Sequence, residues 1–264
     1  MRSLLRTFSK QPVAAKVPEV TALFWVIKIA TTAAGEAISD SFGTKNAVAV
    51  GFFFEIIMFC VALYLQFRAP RYNAITYWFL ALAIATAGTG VADTMHLLFG
   101  IPYAGTSLFW LLTLALVFFL WNRSEHTLDI HSITTNRREK YYWSTVFATF
   151  ALGTALGDFT ATTLGLGYLA SAFFFGGLIL IPLVGWKFFK FNSIFAFWFA
   201  YVLTRPIGAS ISDYLSKGHN ISGANFGNAP TAVVLTLIVV ALVAYTAKAR
   251  YDLQTPEPKV AGGT

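Results

Sequence analysis

Four aspartates, Asp40, Asp93, Asp158 and Asp213, each stand fifteen residues after a tryptophan and five after a glycine. The pattern is an aromatic residue, Trp, nine residues, Gly, four residues, Asp. It runs Phe24-Trp25…Gly35…Asp40, Tyr77-Trp78…Gly88…Asp93, Tyr142-Trp143…Gly153…Asp158 and Phe197-Trp198…Gly208…Asp213, with no change of gap. Carboxylate oxygens are hard donors suited to Mg2+, Mn2+ or Ca2+. Each copy lies in a long apolar segment, where an ionisable group is costly and marks a functional candidate. Protons and a cation compete for the same oxygens, which gives a physical basis for exchange.

Other polar residues cluster near the motif acids. Glu36 precedes Asp40 by four residues and shares its helix face. His96 follows Asp93 by three, and Glu55 stands in the next apolar segment at a similar depth. Arg205 lies in the fourth motif, one turn deeper than the position of Glu36. A buried arginine needs a carboxylate, and Glu36 or Glu55 is the natural candidate. The chain thus offers Asp40, Asp93, Asp158 and Asp213 as metal ligands, with Glu36, Glu55 and His96 tuning the site. Cys60 is the only cysteine and Met95 the only methionine near the four motif aspartates, so a soft Cu(I) site is not expected. Triads, zinc-protease motifs and phosphate-binding loops are missing, so the expectation is not an enzyme, with no cofactor beyond a bound divalent cation.

Eight apolar segments must position these residues, near 20–42, 47–67, 74–98, 104–122, 142–163, 168–187, 193–215 and 230–248. Hydrophobic residues make up 56% and charged ones 12%, against about 25% charged in a soluble domain. The mean hydropathy is +0.63. A span needs roughly 20 apolar residues, so the expected fold is an all-α membrane protein with eight transmembrane helices. Each motif helix is followed by a plainer one, giving four two-helix repeats at about 20–68, 73–122, 138–190 and 193–248. An arm, 1–19, and a tail, 249–264, flank the single membrane domain, 20–248. Two helices per unit bring every repeat in with the same direction, so the repeats are parallel, with pseudo-symmetry about the membrane normal. The four Trp then lie at one end and the four Asp at the other, about 22 Å away.

Fifteen Lys and Arg fall on the connections and termini of the Trp side, against Lys45 and Lys217 on the other. The positive-inside rule places both termini in the cytoplasm, and the net charge of +7 is a topology signal, not a nucleic-acid footprint. Residues 1–19 show no apolar signal region. The expected location is a cytoplasmic membrane, a bacterial inner membrane if the family resemblance of the opening residues Lys16–Thr21 holds, with membrane lipid and a small inorganic cation as partners. The oligomeric state stays open. Two roles stand for Trp25, Trp78, Trp143 and Trp198: an interfacial anchor, or interior packing and pathway lining. Gly35, Gly88, Gly153 and Gly208 read as sites of close helix approach.

The opening Lys16-Val17-Pro18-Glu19-Val20-Thr21, then Phe24-Trp25 and Gly35-Glu36…Asp40, resembles a family of bacterial integral membrane proteins. That family is built from four tandem two-helix repeats of unknown function, each centred on a Trp. The resemblance spans about 16–248 and implies architecture but no reaction. Glu36 and Arg205 each occur in one copy only, which departs from a perfectly four-fold site.

The functional expectation is transport or permeation of a cation, a divalent metal such as Mn, Mg or Ca with possible proton coupling, through a site built from the repeated Asp. The alternative is a non-transporting sensor, assembly factor or scaffold in which the Asp residues are structural. The segment 216–229, rich in Gly and Asn, is expected to fold over the Asp cluster as a partial lid.

Overall fold

A computed structural model describes residues 15–43, 48–250 and 252–254. Residues 1–14, Lys45 and 255–264, which carry part of the charge asymmetry, lie outside the described residues. Among those described, the helices are α1 (Ala22–Ser41), α2 (Val48–Arg68), α3 (Ala74–Leu97), α4 (Tyr103–Glu125), α5 (Asn136–Asp158), α6 (Tyr168–Leu178), α7 (Leu180–Phe189), α8 (Ser193–Ser216) and α9 (Asn228–Ala249). Helices α6 and α7 follow one another through Ile179, whose backbone stays helical.

Seven segments are long and apolar enough to cross a membrane by length and composition: α1, 49–68 of α2, α3, α4, Tyr168–Phe189, α8 and α9. The chain is therefore a multi-pass helical membrane protein. The eighth expected segment is α5. It forms a helix of 23 residues, but it begins with Arg137, Arg138, Glu139 and Lys140 and carries Thr145, Thr149 and Thr154 in its buried stretch. Its polarity suits the middle of the protein, where neighbouring helices replace lipid.

The four helices that carry the motif are the interior. In α1, α3 and α8 the apolar window is 61% buried, against 22–28% in α2, α4, α6–α7 and α9. The outer helices turn Phe52, Phe53, Leu108, Leu112, Phe173, Phe188, Val233 and Leu237 outward, as lipid contact requires. The same division shows at the helix starts. Thr21, Asn73, Thr135 and Asn192 each accept backbone N–H groups of the first turn, so all four motif helices are capped by a side chain. Pro102, Gly167 and Gly227 at the starts of α4, α6 and α9 supply no side-chain cap.

Contacts between motif helices close into a cycle: α1 on α3, α3 on α5, α5 on α8, and α8 back on α1. The outer helices are offset by one repeat. Helix α2 packs on α3, α4 on α5, α6 on α8, and α9 closes onto α1.

Candidate functional site

The motif glycines explain how four helices come so close. A Cβ on Gly35 would collide with Ala85, and one on Gly153 with the aliphatic stem of Arg205. A Cβ on Gly208 would collide with Thr32, and one on Gly88 would press on Phe150. Ala85, Phe150, Arg205 and Thr32 occupy the same motif position, seven residues after each Trp. Each glycine therefore receives the corresponding residue of the next motif helix, around the whole cycle.

The tryptophans make a second set of cyclic contacts. Trp78 packs on Phe24 (ring centroids 5.6 Å apart), Trp143 on Tyr77 (5.2 Å), Trp198 on Tyr142 (6.0 Å) and Trp25 on Phe197 (5.6 Å). Trp78, Trp143 and Trp198 are buried and Trp25 is half-buried. Each ring therefore packs on the aromatic residue that precedes the Trp of a neighbouring motif helix. Trp198 also donates from Nε1 to the Leu128 carbonyl, tying the connection 126–135 to α8.

Between the two ends an ion pair crosses the middle of the four motif helices. Arg205 is fully buried, and its Nη2 lies 2.6 Å from Glu36 Oε2. The guanidinium also donates to the Thr154 hydroxyl (2.7 Å), the Thr89 hydroxyl, the Thr32 carbonyl (3.1 Å) and the Phe150 carbonyl (3.3 Å). Glu36, Thr89 and Thr154 are equivalent motif positions, so three repeats supply acceptors to one arginine from the fourth. Of the two carboxylates the sequence offered to Arg205, Glu36 is the partner. Glu55 instead accepts from Ser39 Oγ at 2.7 Å and backs onto Gly90, where a side chain would displace it.

At the aspartate end, ligand atoms of Glu36, Asp40 and Asp213 all lie within 4.8 Å of one another, a spacing that could hold a metal ion. Asp213 is buried and its Oδ1 has no hydrogen-bond partner. Asp93 and Asp158 are not in this group but lie within electrostatic reach of Asp40. The structure thus brings the four motif carboxylates into one neighbourhood while grouping only two of them tightly, with Glu36 as the third donor. His96 is not in that group: its Nδ1 meets the Ile101 carbonyl at 2.8 Å and its ring stacks on Tyr103 at 3.8 Å. The short α3–α4 connection, which folds back on the helix end, takes up the imidazole.

Lys217 occupies the acidic group. Its ammonium is bonded to Asp40 Oδ2 and lies 3.6 Å from Asp213 Oδ1. Burial alone would pull this amine down; the Asp40 and Asp213 carboxylates outweigh it and hold the pKa well above the ordinary lysine value. The segment after Lys217 folds back over the helix end. Ala224, Phe226 and Gly227 donate to the Tyr214, Leu215 and Ser216 carbonyls, and Asn228 Nδ2 donates to the Asp40 carbonyl at 2.9 Å. Ser222 sits against Gly167 of the third repeat. The segment thus touches the first repeat at Asp40 and the third at Gly167. Tyr103 and Tyr168, which open α4 and α6, lie within electrostatic reach of the motif aspartates. Sequence reasoning missed both tyrosines, whose only signal was an aromatic in the first turn of an outer helix.

The tryptophan end is sealed by polar contacts. Lys16 Nζ meets Glu139 Oε2 at 2.6 Å, both buried, and Gln66 Nε2 donates to the other Glu139 oxygen at 3.0 Å. The Tyr72 hydroxyl donates to Asp252, whose backbone carbonyl accepts from Glu19 N at 2.9 Å. Burial raises the Asp252 carboxyl above its ordinary range, and burial, together with the hydrogen bond to Asp252, raises the Tyr72 phenol. A cavity of about 550 Å3 opens at this end between α1, α7, α8 and the 128–131 segment, lined by Trp25, Trp186, Phe197 and Pro182, far from the acidic group.

These features define a multi-pass helical membrane protein with an internal repeat. The chain belongs to the family described as Repeat of Unknown Function (DUF347), whose model matches residues 76–127, 141–192 and 196–251 as three tandem copies. The first copy, with Trp25, Gly35 and Asp40, lies outside those matches and keeps the same spacing. No curated protein and no solved structure matches the chain.

Proposed function

We propose that this protein moves a cation across a membrane, and that Glu36, Asp40 and Asp213 are its binding station. The reading rests on four parallel two-helix repeats around an axis normal to a bacterial inner membrane, eight crossings, and cytoplasmic termini at the tryptophan end. The cyclic glycine and tryptophan contacts support that arrangement, and the basic residues of the connections support its direction. The observation that carries the function is the grouping of three carboxylates within 4.8 Å, already holding an ammonium. With all groups ionised, Arg205 and Lys217 neutralise two of the three charges, and Asp93 and Asp158 add two more nearby. An entering cation displaces Lys217 and meets an all-oxygen donor set, which suits a hard divalent ion. The Arg205–Glu36 pair closes the axis beneath that station, so passage requires the pair to separate. This favours a carrier that exposes its site to each side in turn over an open pore.

One observation favours a second reading, a scaffold without transport: Lys217 already satisfies Asp40 and ties the lid down. Thermal unfolding of the purified protein with Mg2+, Mn2+ and Ca2+ separates the two, followed by uptake into proteoliposomes. Transport requires that a divalent ion stabilise the parent and that Asp40→Asn and Asp213→Asn remove that effect while still folding. The scaffold reading requires that the Asn variants lose assembly or stability with no dependence on any ion.

A further inference from the structure

The cavity at the tryptophan end takes no part in the acidic group and is a separate feature of the fold. Its volume of about 550 Å3 lies within the range of roughly 300–1,000 Å3 typical of small-molecule sites. The gap opens where the outer helix of the third repeat is interrupted at Ile179. Helix α6 packs closely along α8, whereas α7, with Pro182 in its first turn, lies more loosely against it. Ile179, Leu183 and Trp186 line one side of the cavity, with Trp25 of α1 and Ile194 and Phe197 of α8 across from them. Leu183 and Trp186 are each 55% exposed, so the cavity opens sideways, toward lipid. Trp25 borders it, and Trp25 is the motif tryptophan left half-buried where the other three are buried.

The apolar part of the lining comes from helices and the charged part from connections. Glu19 stands before α1, and Asp129 and His131 belong to the 126–135 connection. Asp129 Oδ1 meets His131 Nδ1 at 3.0 Å, and Glu19 Oε1 lies 3.7 Å from Nε2 of the same ring. Two carboxylates share one imidazole, so the group is net negative whether or not the ring carries a proton. Glu125 and Glu139, at the same end of the molecule, are paired with Arg137, Arg138 and Lys16. Among the described residues no lysine or arginine lines the cavity. Nor is Glu19 part of the repeat: six residues before the other three tryptophans stand Tyr72, Arg137 and Asn192. The side chains of Glu19, Asp129 and His131 are 40–47% exposed, within reach of a bound molecule.

We propose that this cavity binds a lipophilic organic cation, an aromatic or alkyl body with a single positive charge, which enters sideways from the membrane. The body lies between Trp25, Trp186 and Phe197, whose ring faces attract a cation. The charge rests toward Glu19 and Asp129. The same lining turns other membrane molecules away. An anionic lipid or a zwitterionic phospholipid would set its phosphate against two carboxylates, with no lysine or arginine to receive it. A neutral amphiphile would leave the carboxylates without a counter-charge. The site is at the opposite end from Glu36, Asp40 and Asp213, and it does not rest on the cation-transport reading.

The test places the full chain in phosphatidylcholine nanodiscs and dialyses them to equilibrium against tetraphenylphosphonium or tetraphenylborate, probes of the same shape and opposite charge. Uptake by empty nanodiscs is subtracted. The parent is expected to bind the phosphonium saturably, a single molecule per chain, and to bind no borate. Glu19→Gln combined with Asp129→Asn should weaken phosphonium binding about tenfold. Trp186→Leu, which keeps an apolar contact and loses the ring, should weaken it about fivefold. Glu125→Gln removes a carboxylate from the same end but outside the cavity, and should bind like the parent. Leu183→Trp, which fills the cavity from its open side, should exclude the probe and decides the matter should the acid variant not fold. A parent that binds neither probe, or both alike, overturns the proposal, as does parent-like binding in the acid variant, in Trp186→Leu or in Leu183→Trp. Equal weakening by Glu125→Gln would reduce the effect to surface charge and overturn it too. Displacement of the phosphonium when phosphatidylethanolamine replaces phosphatidylcholine would give the cavity to a phospholipid. Binding that appears only after Arg2, Arg6 and Lys10 are changed to Gln would give it to the first residues of the chain. Either result also sinks the proposal.

Discussion

Removing the charge of Glu36 should be among the most damaging conservative substitutions in this chain. Glu36→Gln keeps the shape and one carbonyl acceptor but leaves Arg205 as a fully buried cation without a counter-ion. Breaking a buried pair in this way costs about 3–5 kcal/mol. The guanidinium keeps the Thr154 and Thr89 hydroxyls and the Thr32 and Phe150 carbonyls as neutral acceptors, which points to the lower end. With roughly 2–4 °C lost per kcal/mol in a chain of this size, a 3 kcal/mol loss lowers the melting temperature by about 6–12 °C. Arg205→Met should also destabilise, by stranding the carboxylate. In the double variant neither charge remains, so its loss should fall short of the sum of the singles by about 2 kcal/mol, within the range for residues in direct contact. The assay is thermal or denaturant unfolding in detergent of the parent, both singles and the double. Singles that add to within about 0.5 kcal/mol, or a Glu36→Gln protein that melts like the parent, would refute the picture of a closed, dry pair.

Three further outcomes follow from the geometry. Gly208→Ala forces a methyl group onto Thr32 and the Ala33 backbone and should cost about 1–3 kcal/mol in unfolding experiments, whereas Gly176→Ala, with open space around it, should not destabilise. Lys217→Met frees Asp40 and Asp213; it should tighten Mn2+ binding in a calorimetric titration while loosening the 217–227 segment to hydrogen exchange. Asp252 carries a carboxyl raised by burial, so the stability it contributes is complete below the ordinary aspartate pKa of about 3.9 and is lost as pH rises through the higher folded value. Proteolysis near 252 should therefore accelerate across that window, and Asp252→Asn should flatten the profile.

Much of the architecture is written in the chain. The invariant Trp, Gly and Asp spacing marks the interior helices, and an arginine found in one repeat only narrows its partner to Glu36 or Glu55, between which the fold decides for Glu36. The offset of the outer helices is not legible, because both faces of α2, α4 and α9 are apolar and hydropathy does not tell a neighbour from lipid. Lys217 reads only as a loop charge, since its reach to Asp40 depends on how the last turn of α8 meets α1. Lys28 is similar: the apolar sequence around it shows burial, but the two rings that contact it, Phe150 and Tyr201, stand 122 and 173 residues downstream. His96 misleads because helix spacing puts it beside Asp93, while the following turn pulls its ring aside.

The pairing of α9 with α1 has a consequence for how the protein is made. Helix α1 enters the membrane with Lys28 and Glu36 aboard, but Arg205 is 169 residues downstream of Glu36. At about 5–20 residues per second of synthesis, Glu36 waits roughly 10–30 s for its partner. Through that interval the nascent chain is an open arc whose first helix, the one that carries Lys28 and Glu36, has one flank uncovered. The insertion machinery must shelter α1, or it must stay near the boundary, until the last hairpin arrives and the arc becomes a ring. A ribosome stalled after the third repeat would leave behind a product that is inserted but unclosed, and a quality-control protease would find it by its first helix, not by its last.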